Sequence, residues 1–128
     1  MTPAHSPLQT PPKRKGISRV WFALRHSISG LQLAMREPAF RLEMIAAAVL
    51  VPASFWVAQG PIEQVLLLAS LVLVLVVELL NTAIEAAIDR IGPEYHLLSK
   101  AAKDLGSAAV LLTVGLALAT WAIIGFAH

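Results

Sequence analysis

The chain has 128 residues, of which 57% are hydrophobic and only 14% are charged. A soluble domain carries charge on about a quarter of its residues, so this composition excludes a single aqueous core and indicates a small integral membrane protein. The absence of cysteine excludes a disulfide scaffold, a thiolate zinc site and a cysteine nucleophile. The net charge of only +2 argues against a general polyanion binder, and no nucleic-acid partner is expected.

The first residues differ from the rest of the chain. Residues 1–16 contain four prolines, which disfavour a helix because each lacks an N–H and restricts the residue before it. We predict a disordered, Pro-rich basic tail there, with a basic anchor on anionic lipid as the alternative, and a single membrane domain over residues 17–128. Residues 17–37 interleave basic and apolar side chains at steps of three and four. This pattern predicts an amphipathic helix in the membrane surface, with an ordinary solvated helix as the alternative.

Three apolar stretches follow and predict transmembrane spans at about 42–59, 65–88 and 105–127. The last is free of charge and exceeds the roughly 20 residues that cross a bilayer. The second reaches that length only if it continues past Glu78 and Asn81, which carries both polar side chains into or near the hydrocarbon. The predicted fold is therefore an all-α membrane protein with three transmembrane helices and an N-terminal amphipathic surface helix.

The basic residues predict the orientation. Of the ten lysines and arginines, seven precede the first span and three lie between the second and third spans. The connection between the first two spans has none, and neither does the C-terminus. By the positive-inside rule, the N-terminus and the second connection are cytoplasmic, and the C-terminus lies on the outer side.

Four polar residues share one face of the second predicted span. Glu78, Asn81, Glu85 and Asp89 are separated by 3, 4 and 4 residues, which keeps them on one stripe at 100° per residue. A lone glutamate in such a helix is more often protonated and hydrogen-bonded between helices. A stripe of four costly polar groups instead predicts a functional site.

Further polar groups surround the start of the third span. They are the segment Glu94, Tyr95 and His96, followed by Lys103, Asp104 and Ser107. Carboxylates without cysteine favour Mg²⁺, and magnesium beside a lysine and a candidate base suggests phosphoryl transfer. The chain has neither of the common glycine-rich phosphate loops. The pattern alone leaves open a kinase, a proton-coupled transporter and a structural subunit.

Specific runs of residues narrow this choice. The run Glu-Leu-Leu-Asn-Thr-Ala-Ile-Glu over residues 78–85, with Glu-Tyr-His at 94–96 and Lys-Asp-Leu-Gly-Ser at 103–107, resembles the small prokaryotic diacylglycerol kinase family. The similarity extends from about Trp21 to the C-terminus. It implies a homotrimeric helical bundle in the prokaryotic cytoplasmic (inner) membrane. The implied enzyme uses ATP and Mg²⁺ to convert 1,2-diacylglycerol to phosphatidate at the cytoplasmic membrane face. The alternatives are an undecaprenol kinase, whose family shares this core, and a non-enzymatic proton-linked carrier or assembly subunit.

The resemblance also implies residue roles. Glu78 matches the general base that activates the lipid hydroxyl, and Asn81 matches an asparagine needed for activity. Glu37 and Glu85 match the carboxylates that bind the metal of the nucleotide. The other residues matching nucleotide contacts are Glu94, Tyr95, His96, Lys103 and Asp104. Besides Glu78, the matches to lipid contacts are Ser107 and Trp121. One departure is Leu42, which replaces a glutamine in the Phe-Arg-Gln-Glu region of the family.

Overall fold

A computed structural model describes residues 16–127. This part of the chain contains no strand and folds into four helices: α1 (Ile17–Ala34), α2 (Pro38–Val57), α3 (Pro61–Ile91) and α4 (Leu97–Phe126). The all-α class is therefore confirmed. The predicted tail over residues 1–16 lies outside the described residues, apart from Gly16.

Helices α2, α3 and α4 have 20, 31 and 30 residues, and each is long and apolar enough to cross a membrane. The prediction of three long apolar helices is thus confirmed. The helices extend beyond the predicted spans; α4, for example, begins at Leu97 rather than at residue 105. Hydropathy marks only the apolar part of a helix, whereas its backbone hydrogen bonds continue past the hydrocarbon. At 1.5 Å per residue α3 is about 46 Å long, against a hydrocarbon core of roughly 30 Å.

Proline, glycine and histidine define the helix ends. Pro38 and Pro61 are the first residues of α2 and α3, where a missing N–H costs no helical hydrogen bond. Gly92 ends α3 with a φ of 153°, a backbone conformation that favours glycine. His96 is the N-cap of α4, where its Nδ1 accepts a hydrogen bond of 3.2 Å from the backbone N–H of Leu98.

Helix α3 is the central element of the three long helices, since it packs against both α2 and α4. At its N-terminal end, the Gln64 side-chain amide donates a hydrogen bond of 2.7 Å to the hydroxyl of Ser54 on α2. Ser54 is completely buried. The buried apolar residues of these three helices are Phe40, Leu67, Leu71, Val74, Ala117 and Ile124. Helix α3 runs antiparallel to both α2 and α4, so the end of α3 lies beside the start of α4.

Much of the apolar surface of the long helices is exposed, for example at Trp56, Leu112 and Ile123. A soluble monomer rarely leaves so many large apolar side chains uncovered, whereas lipid or neighbouring subunits cover them in a membrane protein.

Most of α1 belongs to a compact unit that ends at Gln32, and the rest of the chain from Leu33 forms a second unit. Within the first unit, α1 exposes large apolar side chains at Val20, Trp21 and Leu24. The position of α1 in the membrane surface stays a prediction.

Candidate active site

The polar stripe of α3 begins in the buried part of the molecule. Glu78 is 5% exposed and Asn81 is 8% exposed, although both lie on a helix whose other buried residues are mainly apolar. Burial of polar and ionisable side chains in such surroundings is unfavourable unless other groups compensate for it. The two residues are buried because α3 is central, so that α2 and α4 cover the face carrying the stripe.

Three more carboxylates interact electrostatically with Glu78. Glu37 and Glu85 lie within range of a direct charge–charge interaction with Glu78, and Glu43 interacts with Glu78 in the same way. Glu37 is exposed at the N-terminal end of α2, while Glu43 and Glu85 are half-buried. We call these four residues the glutamate cluster. Since their negative charges repel one another, the cluster favours a bound cation or protons.

The glutamate cluster has unused hydrogen-bonding capacity. Among the described residues, Oε2 of Glu43 and Oδ1 of Asn81 are buried and have no hydrogen-bond partner. The Asn81 side-chain nitrogen donates a hydrogen bond of 3.4 Å to Oε1 of Glu85. Buried polar atoms are nearly always paired in folded proteins, so the unpaired Oε2 of Glu43 indicates that a proton or a bound cation completes the glutamate cluster.

Helix α4 brings positive charge to the same end of the bundle. Nζ of Lys103 lies 2.5 Å from Oδ1 of Asp89 on α3, and both side chains are partly exposed. Lys103 also interacts electrostatically with Glu85, which connects it to the glutamate cluster. Asp104 pairs with Lys100 one turn earlier on α4. A cation beside a group of carboxylates is a suitable partner for anionic phosphates.

The connection between α3 and α4 forms a cavity of about 600 Å³. Its lining includes Glu94 and His96 from the sequence-predicted segment, whereas Tyr95 is 75% exposed and does not line it. Ser107 is exposed on α4. The cavity lies between the last turn of α3 and the first turn of α4, with Ile88 and Ile91 on one side and Leu98 and Ser99 on the other.

One residue that the sequence analysis assigned to the site lies far from the glutamate cluster. Trp121 is 14 residues beyond Ser107 on α4, which corresponds to about 21 Å along the helix axis. Its indole nitrogen is buried and has no hydrogen-bond partner among the described residues. Trp121 therefore belongs to the opposite part of α4, not to the glutamate cluster, and its contact with lipid stays a prediction.

The donor set of the glutamate cluster fits a hard divalent cation. Within residues 16–127, no group of three or more His, Cys, Asp or Glu side chains is arranged to hold a metal ion on its own. Mg²⁺ needs only one or two protein carboxylates when phosphates and water supply the remaining oxygens. Glu37 is exposed and Glu85 is half-buried, whereas Glu78 and one oxygen of Glu43 are buried, so Glu37 and Glu85 are suitable for this task.

Two interactions of this site cannot be predicted from the sequence. Glu43 receives no role in the sequence analysis, and its interaction with Glu78 joins two different helices. Asp89 belongs to the predicted stripe, but the sequence does not predict its pairing with Lys103. The one signal in the sequence is that both are acidic residues near the ends of apolar stretches, a pattern too common to identify a contact between helices.

Comparison with known proteins adds an independent observation. The family model described as prokaryotic diacylglycerol kinase matches residues 25–125. The diacylglycerol kinase of Escherichia coli strain K12 is 46% identical over 114 residues, which cover 88% of this chain and 93% of that protein. The diacylglycerol kinase of Pseudomonas aeruginosa is 43% identical over 110 residues, 85% of this chain and 89% of that protein. The corresponding protein of Haemophilus influenzae is 39% identical over 110 residues, 85% of this chain and 93% of that protein.

Proposed function

From the premise that this chain belongs to the prokaryotic diacylglycerol kinase family and phosphorylates diacylglycerol, we propose how and where it does so. The proposed phosphoryl donor is ATP, the product is phosphatidate, and the reaction occurs at the cytoplasmic face of the inner membrane. The observation that carries this proposal is the glutamate cluster, in which buried Glu78 is surrounded by carboxylates beside a lysine.

Glu78 is the proposed general base. Its burial on the central helix supports this role, because an apolar diacylglycerol can stay in the bilayer while its hydroxyl reaches the carboxylate. Glu78 takes the proton of the hydroxyl as the lipid oxygen bonds to the γ-phosphorus. The bond from the γ-phosphorus to the bridging oxygen breaks at the same time, and ADP leaves. Asn81, one turn along α3, lies beside the reacting groups and orients Glu85 through their hydrogen bond.

Glu37 and Glu85 are the proposed ligands of Mg²⁺. Held by these carboxylates together with the phosphates of ATP, the metal would supply positive charge that offsets the negative charge of the phosphates. Lys103 stabilises the negative charge on the phosphates, and its interaction with Glu85 supports this role. The remaining proposed nucleotide contacts are Glu94, Tyr95, His96 and Asp104, of which Glu94 and His96 line the cavity at the end of α3. Ser107 and Trp121 are the proposed additional lipid contacts.

The distribution of basic residues supports the cytoplasmic location. The last turn of α3 carries Arg90 and the start of α4 carries Lys100 and Lys103, whereas the connection between α2 and α3 carries no basic residue. By the positive-inside rule, the end of the bundle that contains the glutamate cluster then faces the cytoplasm, where ATP is available.

The proposed assembly is a homotrimer packed around α3. Exposed small residues on α3, among them Ala83, Ala86 and Ala87, support this because small side chains allow helices of different subunits to approach closely. Cross-linking of an active preparation in detergent should capture dimers and trimers. An active preparation that yields only monomers would contradict the trimer.

A lipid-panel kinase assay tests the proposed reaction. Purified protein receives ATP labelled in the γ-phosphate, with diacylglycerol or undecaprenol and with or without Mg²⁺. We expect label in phosphatidate only when Mg²⁺ is present, and much slower transfer to undecaprenol. A preference for undecaprenol would overturn the lipid assignment, and transfer that persists in excess chelator would overturn the role of Mg²⁺.

A further inference from the structure

The amide of Asn81 lies in a space that only a glycine provides. Gly106 on α4 is buried where α4 crosses α3 at the level of Asn81. A Cβ at position 106 would overlap Oδ1 of Asn81 and lie 3.3 Å from its Cγ. The amide oxygen therefore occupies the volume that any other side chain would fill, with no hydrogen-bond partner of its own among the described residues.

This close approach is specific to one glycine of α4. A Cβ at Gly115 or Gly125, on the same helix, would have no heavy atom within 4 Å. Close packing of α4 in general therefore does not require glycine. Among the glycines of α4, only Gly106 packs against another side chain, the Asn81 amide, so only this position requires a glycine.

We propose that Gly106 is a positioning residue of the kinase, which acts through Asn81 on Glu85. The missing side chain lets the amide oxygen point towards α4, and the amide nitrogen is then directed along α3 to Oε1 of Glu85. That hydrogen bond fixes the orientation of a carboxylate proposed to bind Mg²⁺. The inference rests on the proposed function, because the roles of Glu85 and Asn81 come from it.

An alanine at position 106 forces one of two changes. The amide of Asn81 must rotate, which breaks its hydrogen bond to Glu85, or the two helices must separate locally. Ile84 is already in ordinary contact range, 3.8 Å from the added carbon, so the Asn81 amide takes the main displacement. Either change alters the Glu85 carboxylate without removing any charged group.

Asparagine-selective ¹⁵N labelling gives a direct readout, because Asn81 is the only asparagine in the chain. The side-chain NH₂ signal of Asn81 should shift in Gly106→Ala and in Glu85→Gln, and it should stay in place in the control Gly115→Ala. Both glycine variants gain the same intrinsic helix propensity, so the comparison isolates the contact. An Asn81 signal that is unchanged in Gly106→Ala would overturn the inference.

Kinetics test whether this contact serves the reaction. Gly106→Ala should raise the Mg²⁺ concentration for half-maximal rate, or lower the rate, by about tenfold or more, as is usual when the partner of a metal ligand is lost. Gly115→Ala should match the wild type in both quantities. A shifted Asn81 signal with unchanged kinetics would overturn the positioning role. A wild-type protein without Mg²⁺-dependent kinase activity would instead defeat the proposed function and leave the spectroscopic comparison intact.

A double-mutant comparison covers the case in which Gly106→Ala folds poorly. Thermal unfolding in detergent should show a lower midpoint for Gly106→Ala than for Gly115→Ala. In an Asn81→Ala background the added methyl has room, so Gly106→Ala should cause no further loss of stability. The same loss in both backgrounds would show that Asn81 is not the group displaced, and would overturn the inference.

Discussion

At the scale of single residues, the glutamate cluster combines features that stability alone does not favour. Glu78 is buried, three other carboxylates repel it, and an oxygen of Glu43 is buried without a partner in the described part of the chain. A helix bundle gains nothing from this arrangement, because apolar residues of similar size would pack there without repulsion. The arrangement becomes favourable once a cation or a substrate proton is bound, which is what the proposed reaction supplies.

The proposed metal ligands can be tested separately from the base. Glu85→Gln and Glu37→Gln should each raise the Mg²⁺ concentration needed for half-maximal rate, because each removes one anionic oxygen ligand. The side-chain volumes hardly change, so the thermal unfolding midpoint should stay close to that of the wild type. Mg²⁺ titrations of the initial rate at saturating lipid measure the effect.

Unchanged Mg²⁺ dependence in both variants would contradict the assignment of Glu37 and Glu85. The metal would then be held by nucleotide phosphates alone or by other carboxylates of the glutamate cluster.

The sequence predicted only part of this cluster. Helical periodicity brings Glu78, Asn81 and Glu85 onto one face, because residues three, four and seven apart on a helix are neighbours. Glu43 lies on a different helix, and its proximity to Glu78 depends on how α2 packs against α3. Local periodicity contains no information about that packing. The resemblance to a known family assigned Glu37 a role, but no pattern in the residues did so.

At the scale of the helices, the sequence predicted number and type better than length. The apolar stretches indicated three spans, and three long apolar helices are present. The predicted third span began at residue 105, whereas α4 begins at Leu97. Lys100, Lys103 and Asp104 lie in that additional part, and charged residues do not interrupt a helix that has left the hydrocarbon. These additional turns of α3 and α4 carry much of the site.

The contact between α2 and α3 gives a prediction about helix packing. Ser54→Ala should destabilise the protein by about 1 kcal/mol, because Gln64 then loses the hydroxyl that accepts its hydrogen bond. Ser70→Ala is a matched control, since Ser70 is also buried but its hydroxyl donates only to the Leu67 carbonyl of its own helix. Reversible unfolding in mixed detergent measures both variants.

A loss of stability in Ser70→Ala as large as that in Ser54→Ala would contradict this account. The hydroxyl itself, and not the bond between α2 and α3, would then be responsible.

At the scale of the whole molecule, the exposed apolar surface and the charge asymmetry together indicate how the chain lies in the membrane. Three helices are long and apolar enough to cross a membrane. If all three cross it, the start of α2 and the end of α4 lie on opposite sides. Which terminus is cytoplasmic follows only from the basic residues, because the helices themselves can cross in either direction.

Cysteine labelling can test the orientation without background, since the chain contains no cysteine. Gln59→Cys, in the exposed connection between α2 and α3, should react with a membrane-impermeant maleimide in spheroplasts. Ala101→Cys, exposed near the start of α4, should react only after the membrane is opened. Protection of Gln59→Cys together with labelling of Ala101→Cys in sealed spheroplasts would reverse the proposed topology.

The central claim is that the Glu78 carboxylate accepts the proton of the lipid hydroxyl. Glu78→Gln keeps the size and hydrogen-bonding capacity of the side chain but removes its basicity, so kcat should fall by roughly 10²–10⁴-fold. Nucleotide binding should persist, because Glu85, Lys103 and Asp104 are unchanged. The matched control is Glu63→Gln, which alters a glutamate in the first turn of the same helix and should leave kcat unaffected.

The decisive measurement is kcat for phosphatidate formation by Glu78→Gln, with ATP binding to the same preparation measured in parallel. The account predicts a large loss of kcat with nearly unchanged ATP affinity. The account would be contradicted if Glu78→Gln retained most of its activity, or if it lost ATP binding together with activity. Glu78 would then be a structural or metal-binding residue and not the base.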